Sequence, residues 1–327
     1  MDKDNHCYVG IDISKSTFDV FMQEGGHFQF ENNVSGFRKF VKLLNTNHWC
    51  VMEATSCYYQ QLALFLFEKG VQVSVVNALI IKRFIQMKLR TTKTDKSDAK
   101  MIAWYASEQQ LVRWQPDPEY VRQCKMLNST ISLYFKQSTA LKNKLHNLES
   151  KGVQGGLLLQ SLHRQIKQVQ REIIKLEEEM EELIKAHEGQ LLTNISSIPG
   201  IGRKTAMLLI AATNGFQSFT NHRQVLAYFG LAPTERTSGS SIRGKSRISK
   251  RGNGKVRNHL FLCSFTAHEC NPQCKALYER LVAKGKSKKL ALVAVCNKLL
   301  KQAFAIAKSG LVYDPGYRSV KPQAALS

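Results

Sequence analysis

Tyr8-Val9-Gly10-Ile11-Asp12-Ile13-Ser14 is an apolar run that carries a single carboxylate. A short continuous apolar run bounded by polar residues reads as a buried β-strand. Desolvating a lone carboxylate within it costs several kcal/mol unless a partner compensates the charge. Asp12 therefore calls for a bound cation, or for turn hydrogen bonds at a strand end. Downstream, residues 18–22 and 27–30 flank Glu24-Gly25-Gly26 and read as two more strands of an antiparallel meander. Residues 36–45 repeat apolar side chains at helical spacing, and residues 48–55 form another strand that ends near Glu53. The spacing then predicts a helix over 58–69, a strand over 71–76 and helices over 79–88 and 99–108. Three strands followed by helix–strand alternation predict a mixed α/β sheet in the RNase-H-like order. In that order Asp12, Glu53, Asp95 and Asp98 converge at one sheet edge. Asp95 and Asp98 are three apart and share a face if helical, although helix capping would also account for them.

Pro116 and Pro118 mark a change of pattern. Apolar residues recur in steps of three and four from Leu127 to Leu148, and again from Leu159 to Leu183, on either side of the turn Gly152-Val153-Gln154-Gly155-Gly156. This describes an antiparallel helical hairpin of coiled-coil character, suited to oligomerisation. Three domains follow from these patterns: a mixed α/β domain over 1–115, a helical arm over 116–190 and a mainly helical C-terminal domain over 191–327.

The C-terminal domain opens on Pro199-Gly200-Ile201-Gly202-Arg203-Lys204, a helix-hairpin-helix signature. Its glycines let backbone amides approach a phosphate, and Arg203 and Lys204 add charge; a plain glycine turn between packed helices is the alternative. Beyond Glu235 the segment up to Arg257 holds eight basic residues and no acidic ones. With its serines and glycines it can wrap a phosphodiester. Arg243, Lys245, Arg247, Lys250 and Arg251 are its candidate backbone contacts.

The whole chain of 327 residues has 47 Lys+Arg against 25 Asp+Glu, a formal net charge of +22. That surplus points to a polyanion, and nucleic acid is favoured over a membrane surface. No uninterrupted apolar run of membrane-spanning length is present, and the polar start is not a signal peptide. Eight scattered cysteines fit small buried hydrophobes in a reducing cytoplasm. Cys270 and Cys274, with His268, make at most half of a zinc site.

Gly10-Ile11-Asp12-Ile13-Ser14-Lys15, Glu53-Ala54-Thr55, Lys93-Thr94-Asp95-Lys96-Ser97-Asp98-Ala99 and Ser238-Gly239 ahead of a basic run together resemble the DEDD-type insertion-sequence transposases. These are relatives of the Piv DNA invertases and are described as bridge-RNA-guided recombinases. The resemblance runs end to end. It departs at Ser56, where the family often has Gly, and at Ala78, where a Pro usually follows the Val-Asn pair. It implies a RuvC-like domain in which Asp12, Glu53, Asp95 and Asp98 hold Mg2+, with Mn2+ as a substitute. It also implies a nucleophilic serine, here Ser238 with Ser240 and Ser241 as alternatives, and a phosphoserine–DNA intermediate. Double-stranded donor and target DNA, a structured bridge RNA and a dimer-of-dimers tetramer are the implied partners. Two other readings stay open on the residues: a Holliday-junction-type nuclease using water, and a non-enzymatic basic scaffold.

Overall fold

The computed structural model describes residues 6–54, 56–88, 95–234, 237–238, 242–243 and 247–317, with only the backbone at 95, 96, 237, 238, 242 and 243. The chain divides into two units, one running to Pro116 and the other from Asp117.

The first unit is a five-stranded mixed sheet with helices on both faces. Its strands are β1 (Cys7–Ile13), β2 (Thr17–Met22), β3 (Gly26–Glu31), β4 (His48–Glu53) and β5 (Gln72–Val76), in the spatial order β3-β2-β1-β4-β5. The meander β1–β2–β3 is antiparallel, whereas β4 runs parallel to β1 and β5 parallel to β4. Its helices are α1 (Val34–Val41), α2 (Tyr59–Glu68), α3 (Ala78–Met87) and α4 (Asp95–Glu108). The expected order of elements holds, with one shift: the last helix starts at Asp95 rather than at Ala99.

Side chains alternate across a sheet, and here the alternation separates two cores. Val9, Ile11, Ile13, Phe18, Val20, Cys50 and Met52 pack with Phe37 and Phe40 of α1 and Leu62 and Leu66 of α2. Phe18 stacks on Phe30 with ring centroids 5.4 Å apart and meets Phe40 edge-on at 5.6 Å. Each such buried side chain contributes roughly 1.5–3 kcal/mol. On the opposite face Val51 and Val76 pack with Ile81 of α3 and with Ile102 and Ala106 of α4, flanked by Tyr8 and Trp49.

At both departures the local backbone suits the residue that the family favours. Ser56 has φ 53, the left-handed region in which glycine costs least. Ala78 is the first residue of α3, behind an Asn77 cap whose side chain accepts from Leu79 N, and Asn77 itself is extended at φ −61 and ψ 129. Proline suits that first helical position and that preceding conformation. Ala78→Pro is therefore expected to stabilise the protein by about 0.4–1 kcal/mol through the unfolded chain. Thermal unfolding checks this; a lower melting temperature would show that the Ala78 N–H is needed.

The second unit begins with the long pair α5 (Glu119–Ser150) and α6 (Gly156–Ser196). Gly152, Gly155 and Gly156 all take positive φ in the turn between them. Ile131, Val169, Ile173, Met180 and Ile184 are buried, with Leu127, Tyr134, Leu141, Leu176 and Leu183 packed against them, along the stripe that the sequence spacing marks. Helix α6 breaks at Glu188 (φ −138, ψ 34), where Tyr120 donates to Glu188 Oε1 at 3.0 Å and stacks on His187. Helix resumes beyond this break and runs to Ser196.

The remaining helices are α7 (Arg203–Thr213), α8 (His222–Tyr228), α9 (Gly254–Cys270), α10 (Pro272–Ala283) and α11 (Lys288–Ser309). They share one apolar core with α5 and α6. Between α8 and α9 the described residues include four two-residue strands: β6 (Pro233–Thr234), β7 (Thr237–Ser238), β8 (Ile242–Arg243) and β9 (Arg247–Ile248). β6 pairs with β9 and β7 with β8, both antiparallel. Helix α11 has the length and apolar composition to cross a membrane, but Val295, Cys296, Leu299, Leu300 and Ala303 bury one face of it in this core.

Candidate active site

Strand pairing and side-chain parity place the carboxylates of the first unit. Asp12 and Glu53 each follow the paired residues Ile11 and Met52, so they are neighbours at the C-terminal ends of parallel strands. Asp12 has the parity of Tyr8 and Gly10, and Glu53 that of Val51; this is the face covered by α4. Helix α4 crosses β1 at Gly10, where a Cβ would lie 2.1 Å from Ala99 O and 2.4 Å from Ala103 N. Only glycine permits so close an approach. Farther along α4, Ile102 and Ala106 pack with Val51, with Tyr8 and Trp49 beside them, so the helix runs back towards the strand N-termini. Its first turn, bearing Asp95 and Asp98, therefore belongs to the strand end that carries Asp12 and Glu53. Asp12, Glu53 and Asp98 are half-buried, and Ser97 Oγ donates to Asp98 Oδ1 at 3.4 Å. The side chain of Asp95 lies outside the described residues.

Sequence reading missed one carboxylate on this face. Asp19 of β2 stands directly opposite Asp12 and has the parity of Phe21, whose ring lies beneath Lys100 of α4. Asp19 is buried; His27 Nε2 lies 2.7 Å from its Oδ1, and Gln29 Nε2 donates to both its oxygens at 3.3 and 3.2 Å. Like charges opposed across a strand pair are destabilising, and these two partners compensate Asp19.

In the second unit, α6, the turn 197–202 and α7 form a helix–turn–helix corner. Gly200 takes φ 97, and a Cβ there would lie 2.5 Å from that of Ala267, so this glycine serves packing against α9. Gly202 caps α7 with open space around it. Arg203 Nε lies 2.8 Å from Glu181 Oε1 and Lys204 Nζ 2.6 Å from Glu177 Oε2. Both cations expected to face phosphate are thus ion-paired to α6 in the folded chain.

The basic loop has a fixed root. Lys250 N donates to Gly230 O at 3.0 Å and Ser249 N to Ala232 O at 3.0 Å. A Cβ on Gly230 would meet Arg251 O, and Arg257 Nη1 donates to Phe229 O at 2.9 Å. Thr234 Oγ1 donates to Arg247 O across β6 and β9. Beyond this root the backbone places Ser238 in β7 opposite Ile242, with Arg243 next along β8. Ser240, Ser241 and Lys245 lie outside the described residues.

Comparison with known proteins decides the family. A DEDD transposase model of the IS110 type matches residues 9–149, and a transposase model of the IS116/IS110/IS902 family matches residues 192–279. The chain belongs to the IS110 transposase family. Among its relatives, the pilin gene-inverting protein of Moraxella bovis is 29% identical over 94% of this chain and 97% of the relative. The transposase for insertion sequence element IS1111A of Coxiella burnetii is 24% identical over 89% of this chain and 86% of its own length. As a member of a transposase and DNA-invertase family, this IS110-type transposase is a DNA-cutting and rejoining enzyme. The first matched segment carries the four acids, and the second carries the helix–turn–helix corner and the serine loop.

A cysteine-based zinc site has no support in this transposase. Cys274 is buried, and burial pushes its thiol up to about 12; Cys296 is likewise pushed up to about 12. His268 engages Ser264 O through Nδ1 at 3.2 Å. Among the described residues no three His, Cys, Asp or Glu side chains gather as a metal site.

Proposed function

We propose that this transposase mobilises an insertion sequence by cutting and rejoining donor and target double-stranded DNA through a covalent serine intermediate. The observation that carries this reading is the placement of Asp12 and Glu53 side by side on one sheet face, under the first turn of α4. In this reading the first unit is an RNase-H/RuvC-like domain, and Asp12, Glu53, Asp95 and Asp98 hold Mg2+, with Mn2+ able to substitute. The donor set fits, because carboxylate oxygens are the ligands that such hard cations take. A bound cation would neutralise charge building on the scissile phosphate.

Ser238 is the nucleophile in this proposal. Its Oγ forms a bond to the scissile phosphorus, the bond from phosphorus to a deoxyribose oxygen breaks, and the serine proton ends on the released hydroxyl. Attack by a second DNA hydroxyl reverses these steps and returns the proton to Ser238. The number of phosphate esters is conserved, so rejoining needs no external energy source. Arg243, Lys245, Arg247, Lys250 and Arg251 position the DNA backbone. A structured bridge RNA pairs with donor and target, and the protein works in the bacterial cytoplasm on nucleoid DNA as a dimer of dimers. Exposed Leu133, Phe135 and Ile174 on α5 and α6 support an assembly role for the arm.

Trapping tests the nucleophile. Incubation with DNA carrying the element ends and Mg2+, followed by denaturation, is expected to leave a protein–DNA adduct that maps to Ser238 and is absent from Ser238→Ala. Cleavage without an adduct would favour the water-dependent nuclease. An adduct that persists in Ser238→Ala and disappears in Ser240→Ala or Ser241→Ala would move the assignment.

A further inference from the structure

We propose that a basic groove between α8, α10 and α11 binds a single phosphodiester strand at the root of the serine-bearing loop. The groove has a volume of about 940 Å³. Arg223 enters it from α8, Arg280 from α10, and Lys298 and Lys301 from α11. Two helical stripes make the walls: positions 273, 276, 277 and 280 on α10, and 294, 297, 298 and 301 on α11. Both follow the i, i+3, i+4, i+7 rule for one helix face. Among the described residues no carboxylate lines the groove.

Three observations point to a phosphodiester occupant. First, among the described residues none of the four cations is ion-paired, whereas Arg203 and Lys204 are held by Glu181 and Glu177. Four unneutralised cations around one cavity make a field that selects polyanions. Burial, and then the charges of Lys301 and Arg223, lower the pKa of His222 at the groove wall.

Second, Asn297 sits among these cations with half its amide used. Its Nδ2 donates to Leu231 O at 3.0 Å, which fixes the orientation of the amide. Its Oδ1 is buried without a partner among the described residues. Buried acceptors are normally paired, so the wall of the groove holds one unsatisfied polar atom among its cations.

Third, Pro233 lines the groove and is also the first residue of β6, which pairs with β9 to close the loop carrying Ser238. A strand held in the groove is delivered to that loop. The volume lies in the range of small-molecule sites, so it takes a few nucleotides of one strand and not a duplex. Among the described residues no Phe, Tyr or Trp lines it and His222 is the one aromatic ring at its wall, so the groove lacks the usual run of stacking platforms. Recognition is of the backbone. The inference needs only a nucleic-acid enzyme and stands whether or not Ser238 is the nucleophile.

The test is a salt titration of the full chain with short labelled oligonucleotides: single-stranded DNA, the same sequence as RNA, and the duplex. Each lost phosphate contact reduces the slope of log affinity against log salt by roughly 0.7 for a single strand. Arg223→Ala/Lys301→Ala is therefore expected to lose about 1.4 from that slope, while Arg223→Lys/Lys301→Arg keeps it and duplex binding is unchanged. Loss for DNA, for RNA or for both supports the groove and identifies the strand. An unchanged single-strand slope, or an equal loss for duplex, overturns it. Should the alanine variant not fold, photo-crosslinking of the wild-type chain to a thiopyrimidine strand decides. Crosslinks within 273–280 or 294–301 support the site, and their absence from both segments overturns it.

Discussion

Asp12→Asn is expected to lower strand cleavage about a thousandfold or more, equivalent to roughly 4 kcal/mol of transition-state stabilisation, with no loss of thermal stability. The two halves of this expectation have different causes. Asparagine keeps the shape of the side chain but removes the anionic oxygen that a hard divalent cation needs. The same change removes a negative charge that faces Asp19 across the β1–β2 pair and lies beside Glu53 on β4. Opposed like charges are destabilising, and an amide keeps the hydrogen-bonding shape of the carboxylate, so the variant should melt close to the wild-type temperature. The assay is cleavage of supercoiled DNA carrying the element ends in Mg2+, paired with a melting curve of the same preparation. Wild-type cleavage by Asp12→Asn would remove Asp12 from the catalytic machinery. Loss of cleavage together with a lower melting temperature would make Asp12 structural and leave the proposed metal site without support.

How much of this was legible beforehand depended on the distance over which each signal acts. Alternating apolar residues and the Gly25-Gly26 turn sufficed to order the strands, because strand patterning is local. Stripe spacing located the buried residues of α5 and α6 for the same reason. Asp19 escaped notice because its relation to Asp12 depends on cross-strand register, and a shift of one residue would carry it to the opposite face. The packing role of Gly10 is not legible in the sequence, since its partners Ala99 and Ala103 lie on a helix far along the chain.

The helix–turn–helix corner shows the opposite case. Its motif was plain in the sequence, yet Arg203 and Lys204 are engaged by Glu181 and Glu177, whose approach no local pattern reveals. Surface ion pairs of this kind are worth about 0–1 kcal/mol, so a DNA phosphate could compete for both cations. The basic groove was half legible: each stripe on α10 and α11 can be read at helical spacing, but not the fact that the two face each other.

Gly10→Ala is expected to be the most disruptive small substitution in the first unit. The added Cβ would sit 2.1 Å from Ala99 O, 2.4 Å from Ala103 N and 2.9 Å from Ala103 Cβ. Overpacking usually costs about 1–3 kcal/mol, and the cost rises where side-chain rotation cannot relieve it. Here the nearest atoms are helix backbone, so relief requires α4 to lift away from β1. A cost of about 3 kcal/mol or more follows, which for a domain of this size lowers the melting temperature by roughly 10 °C or more. Cleavage should fall with it even though all four acids remain, because α4 brings Asp95 and Asp98 to the strand end bearing Asp12 and Glu53. The two variants thus separate chemistry from placement: Asp12→Asn loses activity at constant stability, whereas Gly10→Ala loses both. A Gly10→Ala protein that melts and cleaves like the wild type would mean that α4 does not rest on β1 in solution, and the convergence of the acids would lose its structural basis.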